Sequence, residues 1–223
     1  MADEQRAAIF GATGLVGGEV LDRLLASPRY ERVIAIGRRA PARRDARLVA
    51  RSIDLETLDQ MQEPLLGAGA VVFCCLGTTI AKAGSQAEFR KVDRDTVDAT
   101  ARFAARHGAS QFLLVSAIGA NARSPVFYNR IKGEAEAAVA KAGLASVAIL
   151  RPSLLLGQRA EFRWNERASA PFMRVLGRAM IGPARKWRPI EATTVAAAMV
   201  RIAEAPEPGV TIHESDALAR IGG

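Results

Sequence analysis

The stretch Phe10-Gly11-Ala12-Thr13-Gly14-Leu15-Val16-Gly17-Gly18 constrains this chain more than any other. It follows an apolar run, Ala7 to Phe10, that reads as a short buried strand. It opens a run with Val16, Val20, Leu21, Leu24 and Leu25 on one helical face. The expected unit is a strand, a glycine turn and a helix. Each glycine has its own use there: a tight turn at Gly11, a backbone bare enough at Gly14 for a phosphate to approach, and close helix-to-strand packing at Gly17. The free N–H groups of the new helix then suit a pyrophosphate. The spacing is G-x-x-G-x-x-G and not the better-known G-x-G-x-x-G, so the turn alone does not separate a nucleotide site from chain punctuation.

With 223 residues, 49% of them hydrophobic and 24% charged, the chain suits one large α/β domain over 1–223. Its polar, acid-containing start, Met1 to Arg6, resembles no secretory signal, and a cytoplasmic location is expected. The longest apolar stretch, around Ala68 to Leu76, is far below the ~20 residues of a membrane span, so no transmembrane segment is expected. Cys74 and Cys75 are adjacent and the only cysteines; they offer no disulfide framework and no cysteine-type metal site, and read as small buried hydrophobes. The net charge of +8 is concentrated late in the chain. Arg159, Arg163, Arg167, Arg174, Arg178, Arg185, Lys186 and Arg188 stand against Glu161 and Glu166. No aromatic stacking set accompanies them, so nucleic acid is not the expected partner, and an acidic substrate is a second use for the charge.

Further along, Arg32 to Ile36 makes a second strand ending in Gly37-Arg38-Arg39. An acid at that place would bind the ribose hydroxyl of NAD, whereas arginine suits a 2′-phosphate. Arg38 and Arg39 therefore point to NADP(H), with Arg43, Arg44 and Arg47 reading as exposed. A weaker strand from Arg47 to Ile53 precedes Asp54-Leu55 and a short helix from Glu56 to about Gln62; Asp54 is placed either to meet the adenine or to cap that helix. Ala70 to Leu76 is a near-continuous apolar strand that breaks at Gly77-Thr78-Thr79, as a parallel strand covered on both faces should. A long helix from Gln86 to His107 presents Phe89, Val92, Thr96, Ala99, Thr100 and Phe103 as one stripe, and its charged opposite face argues for a monomer or weak dimer.

A fifth strand, Gln111 to Val115, delivers Ser116 to the crevice side, and a loop leads to a helix from Tyr128 to about Lys141. Tyr128 and Lys132 are four apart and share one helical face. A sixth strand, Val147 to Leu150, ends in Arg151-Pro152-Ser153; a substrate-side insertion at 154–192 contains a helix around Phe172 to Ile181. A helix from Thr193 to Ala203 and an edge strand, Val210 to His213, complete the expected doubly wound parallel sheet.

Carbonyl reduction needs a proton donor for the oxygen that hydride attack charges. A tyrosine titrates near ~10, and a lysine ammonium one turn away favours its phenolate; lowering that value by two or three units takes about 3 to 4 kcal/mol. Ser116 supplies a hydroxyl for the substrate oxygen. Together with the glycine turn, Ser116, Tyr128 and Lys132 stand in the order of the motifs of the short-chain dehydrogenase/reductase superfamily, which the chain resembles over nearly its whole length. More narrowly it resembles the bacterial relatives of the Tat-interacting-protein-like oxidoreductases, an atypical group. The likeness rests on Phe73 to Thr79 followed by Lys82-Ala83-Gly84, on Val92-Asp93-Arg94-Asp95, on Lys132-Gly133-Glu134 and on Arg151-Pro152. The resemblance implies a Rossmann fold, NADP(H) as cofactor and a small-molecule carbonyl substrate, with Ser116, Tyr128 and Lys132 as the catalytic set. The implied cofactor contacts are Gly11, Thr13, Gly14, Leu15, Val16, Gly17, Arg38, Arg39, Asp54, Leu55, Cys75, Leu76, Gly77, Thr78, Tyr128, Lys132 and Pro152. Where many superfamily members carry an asparagine on the fourth helix, this chain has Val92-Asp93. The alternative function is a module that binds NADP(H) and senses it without efficient turnover.

Overall fold

The computed structural model of the protein describes residues 5–61, 65–156 and 182–223. Seven strands form one sheet: β1 (Gln5–Phe10), β2 (Tyr30–Gly37), β3 (Leu48–Ser52), β4 (Val71–Cys74), β5 (Gln111–Val115), β6 (Ser146–Arg151) and, last in the chain, β9 (Gly209–Glu214). Their order is β3-β2-β1-β4-β5-β6-β9, and every neighbouring pair is parallel. β7 (Leu155–Leu156) and β8 (Ile190–Glu191) make a separate two-stranded parallel ladder. The helices are α1 (Leu15–Ala26), α2 (Ile80–Ala83), α3 (Gln86–Arg90), α4 (Thr96–Arg106), α5 (Phe127–Ala140), α6 (Ala192–Glu204) and α7 (Ser215–Gly222). This is a Rossmann-type α/β fold. Its strand order reverses between β1 and β4, the point where a crevice opens at the carboxyl ends of the strands.

Alternation along the strands explains why both faces are covered. Ala7, Ile9, Val33, Ala35, Val71 and Phe73 pack with α1, α6 and α7 on one side. Ala8, Phe10, Ile34, Ile36, Val72 and Cys74 pack with α4 and α5 on the other. The expected strand to Leu76 ends at Cys74; the Cys75 N–H still donates to the Phe10 carbonyl at 2.9 Å, and Cys75 and Leu76 pack against the two cores. The expected helix after Asp54 is a single tight turn, Leu55–Thr57. The eight-residue α7 was not anticipated; Leu218 is its one fully buried apolar side chain.

The long helix expected from Gln86 to His107 is present as one helical run, but it contains a π turn, Lys91–Asp95, between α3 and α4. The extra residue rotates the rest of the helix, so Phe89 is succeeded on the buried face by Asp93 and Val97, while Val92 and Thr96 are only half-buried. The expected helix around Phe172 to Ile181, and the basic residues Arg159 to Arg178, lie outside the described residues.

Tyr30 opens β2 fully buried, its ring edge-on to Phe73 at 6.3 Å, and its hydroxyl has no hydrogen-bond partner among the described residues. Burial pushes this phenol up to about 12. The folded chain therefore holds the Tyr30 proton over the interval from about 10 to 12 in which the unfolded chain releases it, so this group's contribution to stability falls as pH rises through that interval. Tyr30→Phe is expected to raise stability by about 1 kcal/mol at neutral pH. In urea unfolding its advantage over the parent should widen at alkaline pH; a gap that stays constant would contradict the burial of the phenol.

Candidate active site

The nucleotide end of the crevice is built by the backbone. Gly11 adopts φ +85°, and a Cβ there would stand 2.6 Å from the Cys75 carbonyl oxygen. A Cβ on Gly17 would stand 2.1 Å from the Gly11 carbonyl oxygen. Thus α1, the β1 exit and the β4 exit close on one another at distances only glycine permits. Gly14, the residue before α1, supplies no side-chain cap, and the first turn of the helix carries no acid. Its N–H groups are consequently left to an anion.

Beside this turn lies a cleft of about 460 Å³ lined by Ala12, Thr13, Gly14, Gly18, Leu21 and the segment Arg39-Ala40-Pro41-Ala42-Arg43. Arg43, read from the sequence as exposed and without a role, grips Asp22 on α1 with two hydrogen bonds, of 2.5 and 2.6 Å. Hydrogen bonding to Arg43 holds the Asp22 carboxyl below its ordinary value. The pair fastens the segment after β2 to α1, and Arg39 of that segment lines the same cleft as Thr13 and Gly14. Arg38 and Arg39 are exposed and make no ion pair among the described residues, but only Arg39 lines the cleft. Asp54 has the local role open to it: it is exposed, and one oxygen of its carboxylate accepts from the Glu56 N–H at 3.0 Å as the cap of the turn that buries Leu55.

On the other side of the crevice, α5 carries Tyr128, Lys132 and Glu136 at successive turns of one face. Its position is fixed from behind by Gly133, where a Cβ would stand 2.2 Å from Asn121 and Ala122 backbone atoms. The half-buried Tyr128 ring leans on the buried Phe89 at 5.6 Å between centroids. Lys132 is buried, and its Nζ lies 2.7 Å from Asp93 Oδ1. Burial disfavours its charge, but the Asp93 carboxylate, with Tyr128 adding to it, more than offsets this and leaves the ammonium held more firmly than in an ordinary lysine. Asp93 Oδ2 accepts the Thr78 N–H at 2.8 Å, and Gly77 crosses directly over the pair.

Ser116 is buried at the end of β5, where its N–H donates to the Leu150 carbonyl at 2.7 Å. Its hydroxyl donates to Glu136 Oε1 at 2.5 Å. Glu136 also receives Arg151 through Nε at 3.0 Å and Nη2 at 2.6 Å, and Arg151 Nη1 reaches Glu214 at 3.2 Å. Glu136 had no place in the expected site. Its signal was present in the sequence as an acid one further turn along the Tyr128-Lys132 face. Burial pushes the Cys74 thiol up to about 12 and raises that of Cys75 as well, so both behave as neutral, unreactive side chains. Pro152 is buried beside Ser116's strand end, its carbonyl accepting the Ile118 N–H at 2.9 Å.

A parallel sheet with a glycine-lined turn at its switch point, an uncapped helix start and a tyrosine-lysine pair across the crevice defines a dinucleotide-binding protein of oxidoreductase type. The chain belongs to the NAD(P)H-binding family, whose model matches residues 11–171. It is 35% identical to protein HTATIP2 of Rattus norvegicus over 167 residues, covering 74% of this chain and 68% of that protein, which sets it with the Tat-interacting-protein-like atypical short-chain dehydrogenase/reductases. It is also 34% identical to the protein fmp52, mitochondrial, of Aspergillus fumigatus over 185 residues, 81% of this chain and 79% of that one. The protein FMP52, mitochondrial, of Candida albicans is 35% identical over 156 residues, 69% of this chain and 68% of that one. These names correct the cytoplasmic expectation, since the fungal relatives are mitochondrial proteins by name. Among solved structures, the fold is similar to that of the human epimerase family protein SDR39U1 with NADPH (TM-score 0.62, 18% identity, 94% of this chain and 74% of that one). It is likewise similar to MoeE5 in complex with UDP-glucose and NAD (TM-score 0.68, 16% identity, 93% and 75%). No helix among the described residues is long and apolar enough to cross a membrane.

Proposed function

We propose that the protein is an NADPH-dependent reductase of a small-molecule carbonyl compound, with Tyr128 as the proton donor. The observation that carries this reading is the placement of Tyr128 beside a buried, charged Lys132 on the face of α5 that meets the crevice. The described residues fit a dinucleotide. The uncapped start of α1 takes the pyrophosphate, Gly14 gives the phosphates room, and Arg39, lining the same cleft, takes the 2′-phosphate. When bound, the cofactor supplies the hydride. The Lys132 ammonium stabilises the charge that Tyr128 acquires as it gives its proton to the substrate oxygen, and Gly77 lets the chain pass close to that point. Ser116 serves as second donor once its hydroxyl turns from Glu136 toward the substrate.

The pyrophosphate and nicotinamide contacts assigned to Gly11, Leu15, Val16, Gly17, Cys75, Leu76, Thr78 and Pro152 belong to the same proposal. NADPH oxidation over a panel of aldehydes and ketones tests it, with NADH run in parallel. Tyr128→Phe is expected to lower kcat about a hundredfold while leaving NADPH affinity within a few-fold, and NADPH is expected to be preferred over NADH. Equal rates for parent and variant would remove Tyr128 from the chemistry. One observation favours a sensor instead: the Ser116 proton and the Lys132 ammonium are both already engaged by carboxylates. Tight NADPH binding with no turnover on any carbonyl would support that role.

A further inference from the structure

Asp93 is fully buried, and a π turn puts it there. Its two oxygens face two different parts of the crevice wall: Oδ1 lies 2.7 Å from Lys132 Nζ, and Oδ2 accepts the Thr78 N–H at 2.8 Å. A Cβ placed on Gly77 would lie 3.3 Å from Oδ1 and 3.5 Å from Nζ, so the loop after β4 lies over the pair. The groups around Lys132 are few. Tyr128 faces it from the preceding turn of α5, and Cys74 from β4 with a thiol that burial keeps protonated. Glu136, one turn on, has its oxygens taken by Ser116 and Arg151. Asp93 is therefore the counter-charge of Lys132.

We propose that Asp93 is the positioning residue of this site: its carboxylate keeps a buried Lys132 in the ammonium form and ties it to the Gly77-Thr78 loop, so that the positive charge stays beside the Tyr128 phenol across the working pH range. The functional consequence rests on the reductase reading above; the ion pair and its effect on Lys132 do not. Burial is already the largest single influence on Lys132, and with Asp93 neutralised its main opponent is gone, which favours the uncharged amine.

The test tracks the Lys132 side chain directly, by NMR of the full chain carrying 13C-labelled lysine, with its signal assigned by its absence in Lys132→Met. In the parent the signal is expected to titrate above the ordinary lysine range; in Asp93→Asn the midpoint is expected to fall by about two units. An unchanged midpoint overturns the proposal. In carbonyl reduction, Asp93→Asn is expected to move the alkaline limb of the kcat/KM profile toward acid by about one unit. The limb follows the loss of the Lys132 ammonium, which then comes at lower pH. A uniform fall at every pH with the limb in place would mean a merely structural role and overturn it too. If Asp93→Asn does not fold, the double variant Asp93→Asn/Lys132→Met is expected to be more stable than Lys132→Met alone, which leaves the carboxylate buried and unpaired; equal stability overturns the pairing. A shifted Lys132 midpoint in a protein that reduces no carbonyl supports this inference while removing the reductase reading. An unshifted midpoint alongside an inactive Tyr128→Phe does the reverse.

Discussion

Gly17→Ala is expected to cost at least about 3 kcal/mol of stability and to abolish NADPH binding. The methyl group would arrive 2.1 Å from the Gly11 carbonyl oxygen and 3.2 Å from the Cys75 Cβ. Neither neighbour can yield cheaply. Gly11 already sits at φ +85°, where its own Cβ would stand 2.6 Å from the Cys75 carbonyl oxygen, so the clash passes from the start of α1 through β1 to the exit of β4. Gly18→Ala is the matched control: its Cβ would meet only the Ala12 carbonyl oxygen, at an ordinary 3.7 Å, and a helical alanine in place of glycine gains up to about 1 kcal/mol. Urea unfolding compares the two variants, and fluorescence titration with NADPH compares Gly17→Ala with the parent. Stability of Gly17→Ala within about 1 kcal/mol of the parent would show that the turn can open.

The second large effect is expected at Glu136, where removal of the carboxylate in Glu136→Ala should cost about 3–5 kcal/mol. The loss is set by what the carboxylate leaves behind. Arg151, with only about a fifth of its side chain exposed, would retain Glu214 at 3.2 Å alone, and the buried Ser116 hydroxyl would lose its acceptor. Glu136→Gln preserves one acceptor oxygen and the shape of the side chain, so about half that loss is expected. Differential scanning calorimetry with urea unfolding measures both. A loss under about 1 kcal/mol for Glu136→Ala would mean that water enters and takes the carboxylate's place.

The parts of this site that were legible from the sequence are those whose chemistry leaves one residue type able to serve. The glycines are legible because a backbone that passes within 2.1 to 2.6 Å of a would-be Cβ admits nothing larger. Tyr128 and Lys132 are legible because four-residue spacing on a helix is a statement about faces. Asp93 is different. An unbroken helix from Gln86 to His107 would give the buried face to Val92 and Thr96. The π turn that hands it to Asp93 and Val97 answers to Lys132 and the Thr78 N–H, which are distant in sequence. Glu136, Arg151 and Glu214 were hidden for a related reason. Each stands on a different element, and only the order of β5, β6 and β9 in the sheet brings them together. Asp54 shows the reverse case, in which the cap on the next turn is set by a residue two positions away and so is legible locally.

The join between β6 and β9 bears on where along the chain its length can change. These strands pair in register from Ser146 with Gly209 to Arg151 with Glu214, and everything from Pro152 to Pro208 is a single excursion between them. Closing such an excursion costs only about 0.6 kcal/mol more each time its length doubles. That low cost holds only outside α6, whose Val195, Ala196 and Met199 are buried against the sheet; Ser116, Tyr128 and Lys132 all lie upstream of the excursion. The stretch between β6 and β9 and the helix that carries Tyr128 and Lys132 are thus separate tracts of one chain.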